Sequence, residues 1–194
     1  MTVTTVYATT FQHIAAASPT GNMLGQNVRS GEVAGSAGDE YRSLMSISFA
    51  AIPPSHRILG ATMYLYKNLT MGDIARIKRL YRLRVSWVPA EVTWRKRDSS
   101  TNWTAEGAFD PADCEQDSIG QRSFTANPAD GWYSFDLTAS AIKDMISGAL
   151  TNNGFAWITE TEFRDCLRFD GHAQDNPPYI EVTHLPPPRR VAIL

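Results

Sequence analysis

The chain has 194 residues, 43% of them hydrophobic and 20% charged. Its 18 Lys+Arg against 20 Asp+Glu give a formal charge of −2. That balance excludes a globally basic nucleic-acid binder and a strongly charged disordered chain. No run approaches eighteen apolar residues, so no membrane-spanning helix is expected. Met1-Thr2-Val3-Thr4-Thr5-Val6-Tyr7 has neither the basic start nor the apolar stretch of a secretory signal, so export by the Sec route is not expected. Cys114 and Cys166 lack the paired spacing of a disulfide or zinc framework. Two free buried thiols are expected, with one disulfide as the alternative.

In chain order, short alternating runs separated by turn residues dominate, a pattern shared by β-sandwiches and barrels. Residues 2–9 form a Thr/Val-rich strand. Residues 18–40 carry Gly21, Gly25, Gly31, Gly35 and Gly38 and read as a long flexible loop. Residues 42–49 place Met45, Ile47 and Phe49 opposite Ser46 and Ser48. Residues 57–67 set Leu59, Ala61, Met63 and Leu65 against Thr62, Tyr64 and Tyr66, as a central strand with both faces partly covered. Residues 76–88 alternate Ile77, Tyr81, Leu83, Val85 and Trp87 with Arg76, Lys78, Arg82 and Arg84. A long polar loop is expected over residues 95–127, then strands at 132–137, 155–159, 167–169 and 179–183. One short α-helix is expected near residues 139–151, where Ile142, Met145, Ile146, Ala149 and Leu150 recur at helical spacing. Thr138 or Ser140 can cap its start, and Asn152-Asn153-Gly154 supplies its stop. The expected organisation is one β domain over residues 1–184 and an extended Pro-rich arm over residues 185–194.

The ordered series Arg42-Ser43-Leu44…Phe49, Ile52-Pro53, Ile58…Ala61-Thr62-Met63-Tyr64-Leu65-Tyr66 and Trp87…Val92-Thr93-Trp94 continues with Trp103…Gly107-Ala108 and Gly131-Trp132-Tyr133-Ser134-Phe135-Asp136-Leu137-Thr138. It closes on Asn153-Gly154-Phe155 and Pro178-Tyr179-Ile180-Glu181-Val182. This series resembles the DNRLRE-type modules grouped with carbohydrate-binding module family 96. The resemblance implies an all-β, antiparallel sandwich of jelly-roll type and a non-catalytic role, as accessory or adhesive units of secreted proteins or in phage particles. The chain departs from that pattern at Phe169-Asp170-Gly171-His172, which replaces the usual lead-in to the last strand.

Catalysis needs a nucleophile with a base, a carboxylate pair or a metal cluster. His13, His56, His172 and His184 are scattered, and Glu160 and Glu162 read as a solvated strand end. No enzyme is expected and no cofactor. The acidic loop Asp110, Asp113, Glu115 and Asp117 is the weak candidate for Ca²⁺, a hard ion that takes several oxygen ligands.

Charge is unevenly distributed: residues 76–97 hold eight cations and one acid, residues 98–175 fourteen acids and four cations. Guanidinium groups repeating along one strand face suit an anionic polymer such as a uronate polysaccharide. The alternative is that these cations pair with the chain's own acidic loops or with a neighbouring subunit. Sugar rings also stack on aromatic faces, and Tyr64, Tyr66 and Trp103 are the surface candidates, with Trp87, Trp94, Trp132 and Trp157 assigned to the core. The binding set is therefore Arg76, Lys78, Arg82, Arg84, Tyr64, Tyr66 and Trp103. Pro186-Pro187-Pro188 favours extended polyproline geometry and projects Arg189, Arg190, Val191, Ala192, Ile193 and Leu194 outward. Arg189, Arg190, Val191, Ile193 and Leu194 are expected to contact another subunit, most simply in a homo-oligomer. The expected function is a structural or attachment protein of a phage-like particle, as capsid decoration or in the tail or neck, assembled in host cytoplasm. The alternative is a free-standing module that binds an acidic polysaccharide, reaching the outside by a non-Sec route.

Overall fold

The computed structural model describes residues 1–24, 27–36, 38–159 and 163–188. Its elements are β1 (Thr2–Ala15), β2 (Val28–Glu32), β3 (Glu40–Ile47), β4 (Arg57–Thr70), β5 (Arg76–Arg82), β6 (Gly120–Phe124), β7 (Gly131–Leu137), α1 (Ala139–Ser147), β8 (Phe155–Thr159), β9 (Leu167–Phe169) and β10 (Tyr179–Leu185). The strands are rich in β-branched and aromatic residues, which pack well on a pleated, half-buried surface. In β10 the alternation is unbroken, with Ile180, Val182 and His184 buried between half-exposed neighbours.

The strands close into an eight-stranded antiparallel barrel and not a jelly-roll sandwich. The ring runs β1-β10-β4-β7-β6-β5-β8-β3 and returns to β1, while β2 and β9 form a second bridge from β3 to β4. Closure depends on β1. Its Thr2–Tyr7 half pairs with β10, and its second half pairs with β3 from Ala8 to Ala15, across a register shift between Ala8 and Thr10. A bulge bends its strand and increases its twist, so one strand joins what would otherwise be two sheets. The opposite seam is thin, a single pairing of Gly120 with Leu137 between β6 and β7. Elsewhere each ring strand is paired on both sides, while along this seam the rest of β6 faces β7 without ladder pairing.

The barrel interior is apolar. Val6, Phe11, Met45, Met63, Leu65, Leu80, Phe155, Trp157, Phe169 and Ile180 lie in one buried cluster, with Phe135 stacked on Trp157 at 5.0 Å. The helix seals it with Ile142 and Met145. It stops earlier than expected, at Gly148, whose φ of +79° suits the left-handed C-cap, and Thr138 makes no side-chain cap bond. The Asn152–Gly154 turn instead serves tertiary packing: a Cβ on Gly154 would lie 2.1 Å from the Met45 carbonyl oxygen.

A second apolar layer lies outside the barrel wall. The excursion over residues 83–119 folds Leu83, Trp87, Val92, Trp94, Trp103 and Ala108 onto Ile14, Leu44, Tyr81, Ala156 and Ile158 of β1, β3, β5 and β8. This explains why β8 and the second half of β1 are buried on both faces. The expected 95–127 loop is thus largely a cover, and it also contains β6. The 18–40 segment likewise contains β2. The residue 76–88 strand ends at Arg82, while β1 and β4 run further than their alternation suggested.

Candidate functional site

With one half of the barrel wall covered by the 83–119 excursion, the outer face of β1, β10, β4 and β7 stays open. Register fixes what it displays. Tyr7, Tyr179, Tyr64 and Ser134 stand opposite one another on four adjacent strands, and Tyr66 stands opposite Trp132. One step along, Thr5, Glu181, Thr62 and Asp136 form a parallel row. Tyr7 is 57% exposed and Trp132 45%, in contrast to Phe135 and Leu137 of the same strand as Trp132, which point into the core.

The rings are ordered against one another. Tyr64 and Tyr179 stack at 4.6 Å and 11°, Tyr7 tilts against Tyr179 at 5.5 Å, and Trp132 meets Tyr179 and Tyr66 edge-on, each at 5.4 Å. The Tyr64 hydroxyl donates to Glu181 Oε2 at 3.1 Å, and Thr62 Oγ1 donates to Asp136 Oδ1 at 2.9 Å. Burial first, and then the Glu181 carboxylate, raise the Tyr64 hydroxyl above the ordinary phenol range; Tyr179 shifts the same way for the same reasons. Both phenols are therefore neutral donors at physiological pH. Beside the rings lies a shallow groove of about 560 Å³, lined by Thr62, Gln121, Arg122, Ser123, Ser134 and Asp136. An apolar ring array running into a groove of amide, hydroxyl, carboxylate and guanidinium groups is the combination that binds polar ligands carrying an apolar face.

The candidates expected from sequence are scattered. Tyr64 and Tyr66 lie in the array. Trp103 does not: it is buried under the cover, its indole N–H donating to Thr93 O at 3.0 Å. Trp132, assigned to the core, is exposed. The cationic strand is a correction as well. Lys78 is fully buried, its ammonium donating to Asp165 Oδ2 at 3.0 Å, Thr159 Oγ1 at 2.8 Å and Ser30 O at 2.8 Å. Arg82 is buried and paired with Glu115, which also accepts from exposed Arg84 at 2.8 Å. Arg76 is half-buried at the strand start and donates to Ala75 O. The four cations therefore form no common outward face.

The acidic loop is used internally. Asp113 accepts from Thr104 N–H and Oγ1, Glu115 is held by Arg82 and Arg84, and Asp110 accepts from Ala112 N–H. Asp117 stays exposed. The hydrogen bond from Arg84 leads the forces that hold Glu115 below the usual carboxylate range. Among the described residues no three His, Cys, Asp or Glu side chains converge as metal ligands. Cys114 and Cys166 are free and buried, as expected. His172 Nδ1 accepts the Phe11 N–H, whereas the Cys166 thiol is directed at Leu167 O. Glu160, Glu162, Arg189, Arg190, Val191, Ile193 and Leu194 lie outside the described residues.

The missed members of the array carried a signal. Period two puts Trp132 on the side of Ser134 and Asp136, and Tyr179 on the side of Glu181 and Thr183. In β5 the same parity puts Lys78 with Leu80, a core residue.

No curated protein matches the sequence. A family profile described as the disaggregatase related repeat domain matches residues 22–181, which span β2 to β10 and most of the open face. The chain belongs to the disaggregatase related repeat domain family.

Proposed function

We propose that this chain is a non-catalytic polysaccharide-binding module whose ligand lies across the strands of the open face. The observation that carries this reading is the contiguous array of Tyr7, Tyr179, Tyr64, Tyr66 and Trp132 on one side of the barrel, Tyr7 and Trp132 exposed and the other three half-buried, continuous with a polar groove. Pyranose rings present flat patches of C–H groups that stack on aromatic rings, while their hydroxyls need donors and acceptors at the margin. Thr62, Ser134, Gln121, Asp136 and Arg122 supply those. Because Tyr64 and Tyr179 already rest on each other, ordering the site on binding costs little side-chain entropy. The likeness to DNRLRE-type modules of carbohydrate-binding module family 96 supports the same reading.

The role is non-catalytic because the face is open to water, and its two carboxylates are tied to Tyr64 and Thr62 as hydrogen-bond acceptors. The residues expected to join this chain to another subunit of a phage-like particle, Arg189, Arg190, Val191, Ile193 and Leu194, lie outside the described residues.

The test is affinity electrophoresis through gels with and without dissolved polysaccharides. The wild type is retarded by at least one polymer. Trp132→Ala and Tyr7→Ala each weaken the interaction about tenfold, the cost of losing an anchor worth roughly 1.4 kcal/mol. If neither substitution changes the retardation, the face is not the site.

A further inference from the structure

The inward parity of β10 continues past the apolar core. Ile180 and Val182 belong to the buried cluster, and the next inward position is His184, 3% exposed. Tyr179 and Glu181 follow the opposite parity to the open face, so His184 is no part of the ring array. It stands in register with Thr2 of β1 and Ile58 of β4, at the end of the barrel where the chain enters β4.

A second imidazole is held against it. His56 lies just before β4 and is half-buried. Its approach is fixed by Phe49 and Ile52, both in the core. Two turn bonds add to this, from Ile52 N–H to Phe49 O at 2.9 Å and from His56 N–H to Pro53 O at 3.0 Å. The two rings lie 4.9 Å apart, with His56 Nδ1 2.7 Å from His184 Nδ1. On its far side, His184 Nε2 is 2.8 Å from Thr4 Oγ1. Two neutral imidazoles joined in this way hold one hydrogen between two nitrogens that converge on one point. An imidazole whose far nitrogen is fixed by an oxygen partner is also the usual arrangement of a metal-ligating histidine.

We infer that His56 and His184 bind a divalent transition ion of the zinc–copper class, with Thr4 as the positioning residue. Imidazole nitrogen suits those ions, whereas Ca²⁺ and Mg²⁺ take oxygen ligands. Two nitrogens at about 2.0–2.1 Å from one tetrahedral ion lie roughly 3.3 Å apart. The rings reach that separation from 2.7 Å by a small rotation of His56, the less enclosed of the two. The hydrogen between them moves to His56 Nε2, so both Nδ1 atoms present lone pairs and no proton is lost. Thr4 accepts from His184 Nε2–H, the tautomer in which Nδ1 is the ligand. Water completes the coordination, because among the described residues no third His, Cys, Asp or Glu joins the pair. The bound ion ties the segment ahead of β4 to β10.

The experiment titrates Zn²⁺ into the untagged full chain by calorimetry and follows the melting temperature. The wild type binds Zn²⁺ one to one and melts higher in its presence, while Mg²⁺ and Ca²⁺ do neither. Cu²⁺ binds more tightly than Zn²⁺. His56→Ala, at the half-buried position, stays folded and loses the binding. Thr4→Val keeps both ligands and binds on the order of tenfold more weakly. His172→Gln binds like the wild type, since that ring is engaged by the Phe11 N–H. A wild type that takes up no Zn²⁺ leaves only a structural imidazole pair and overturns the inference. Zn²⁺ binding retained in His56→Ala overturns it too, as does Mg²⁺ binding as tight as Zn²⁺ binding. If His184→Gln fails to fold, His56→Ala alone decides.

Discussion

Tyr64 and Tyr179 stack nearly parallel, 11° apart at 4.6 Å, although they come from strands widely separated in the chain. Their contact follows from the antiparallel register of β10 on β4, which puts them directly opposite each other. Cross-strand aromatic pairs of this kind stabilise a sheet by roughly 0.2–1 kcal/mol. The pair therefore belongs to the scaffold as well as to the surface. Tyr7 and Trp132 only lean on it, which makes them the cleaner positions at which to separate binding from folding.

The Lys78–Asp165 pair is expected to be structural. Lys78 is enclosed, and Asp165 also accepts from Thr159 Oγ1 at 2.7 Å and from the backbone N–H groups of Glu32 and Phe163. Removing one partner strands a buried charge, at a cost of about 3–5 kcal/mol. Lys78→Ala should lower the unfolding free energy obtained from urea titration by that amount, while Arg84→Ala, at an exposed ion pair, should leave it nearly unchanged. Equal effects from the two substitutions would contradict the assignment.

Asp165 and His13 make stability fall in acid. Burial pushes the Asp165 carboxyl up, but the Lys78 ammonium and the Thr159 and Lys78 hydrogen bonds outweigh it, leaving it below the usual carboxylate range. Its contribution is present above the unfolded value near 3.9 and is lost as pH falls through the folded one. Burial, and then the Arg29 charge, lower His13 from 6.5 to about 4. Between those values the unfolded chain binds a proton that the folded chain refuses, so His13 loses about 3 kcal/mol of stability from pH 6.5 down to 4. His184 adds in the same direction through burial, the His56 charge and the N-terminus. Urea midpoints measured from pH 7.5 to 4.5 should fall steadily, and His13→Gln should flatten the slope. A midpoint independent of pH across this range would be inconsistent with a neutral, buried His13.

Both thiols should be silent in the native state. Burial pushes Cys114 and Cys166 up to about 12, and the nearby acids Glu115 and Asp113 add to the effect at Cys114. Thiolate is the reactive form, so Ellman's reagent at neutral pH should label neither in the folded protein and both in denaturant. Fast labelling of the native protein would mean that the cover over Cys114 or the β2–β9 corner at Cys166 opens readily.

Strand content and the helix were legible in the sequence because period-two and 3.6-residue patterns report burial directly. Closure was not. Alternation is identical in a sandwich and a barrel, and the deciding feature is the register shift between Ala8 and Thr10. It sits where β1 passes under the 83–119 cover and loses its alternation. The same cover inverted the expectations for tryptophan. Trp103 lies in a polar stretch, yet that stretch is folded onto the barrel. Trp132 lies in a strand, yet on the half of the wall that nothing covers. Tyr64 and Tyr66 were recognisable because both flank core residues of one continuous strand. Glu181 and Asp136 acquire meaning only once β10, β4 and β7 are placed side by side.

The central claim is that a polysaccharide occupies the open face, and Trp132 reports on it directly. Trp87, Trp94, Trp103 and Trp157 are all buried, and Trp132 is exposed. Acrylamide quenching of the native protein should therefore be dominated by Trp132. Titrating in a polysaccharide that retards the protein in gels should protect that emission and lower the quenching slope toward that of Trp132→Ala. A slope unchanged at saturating polysaccharide would mean that the chain binds elsewhere and would contradict the account.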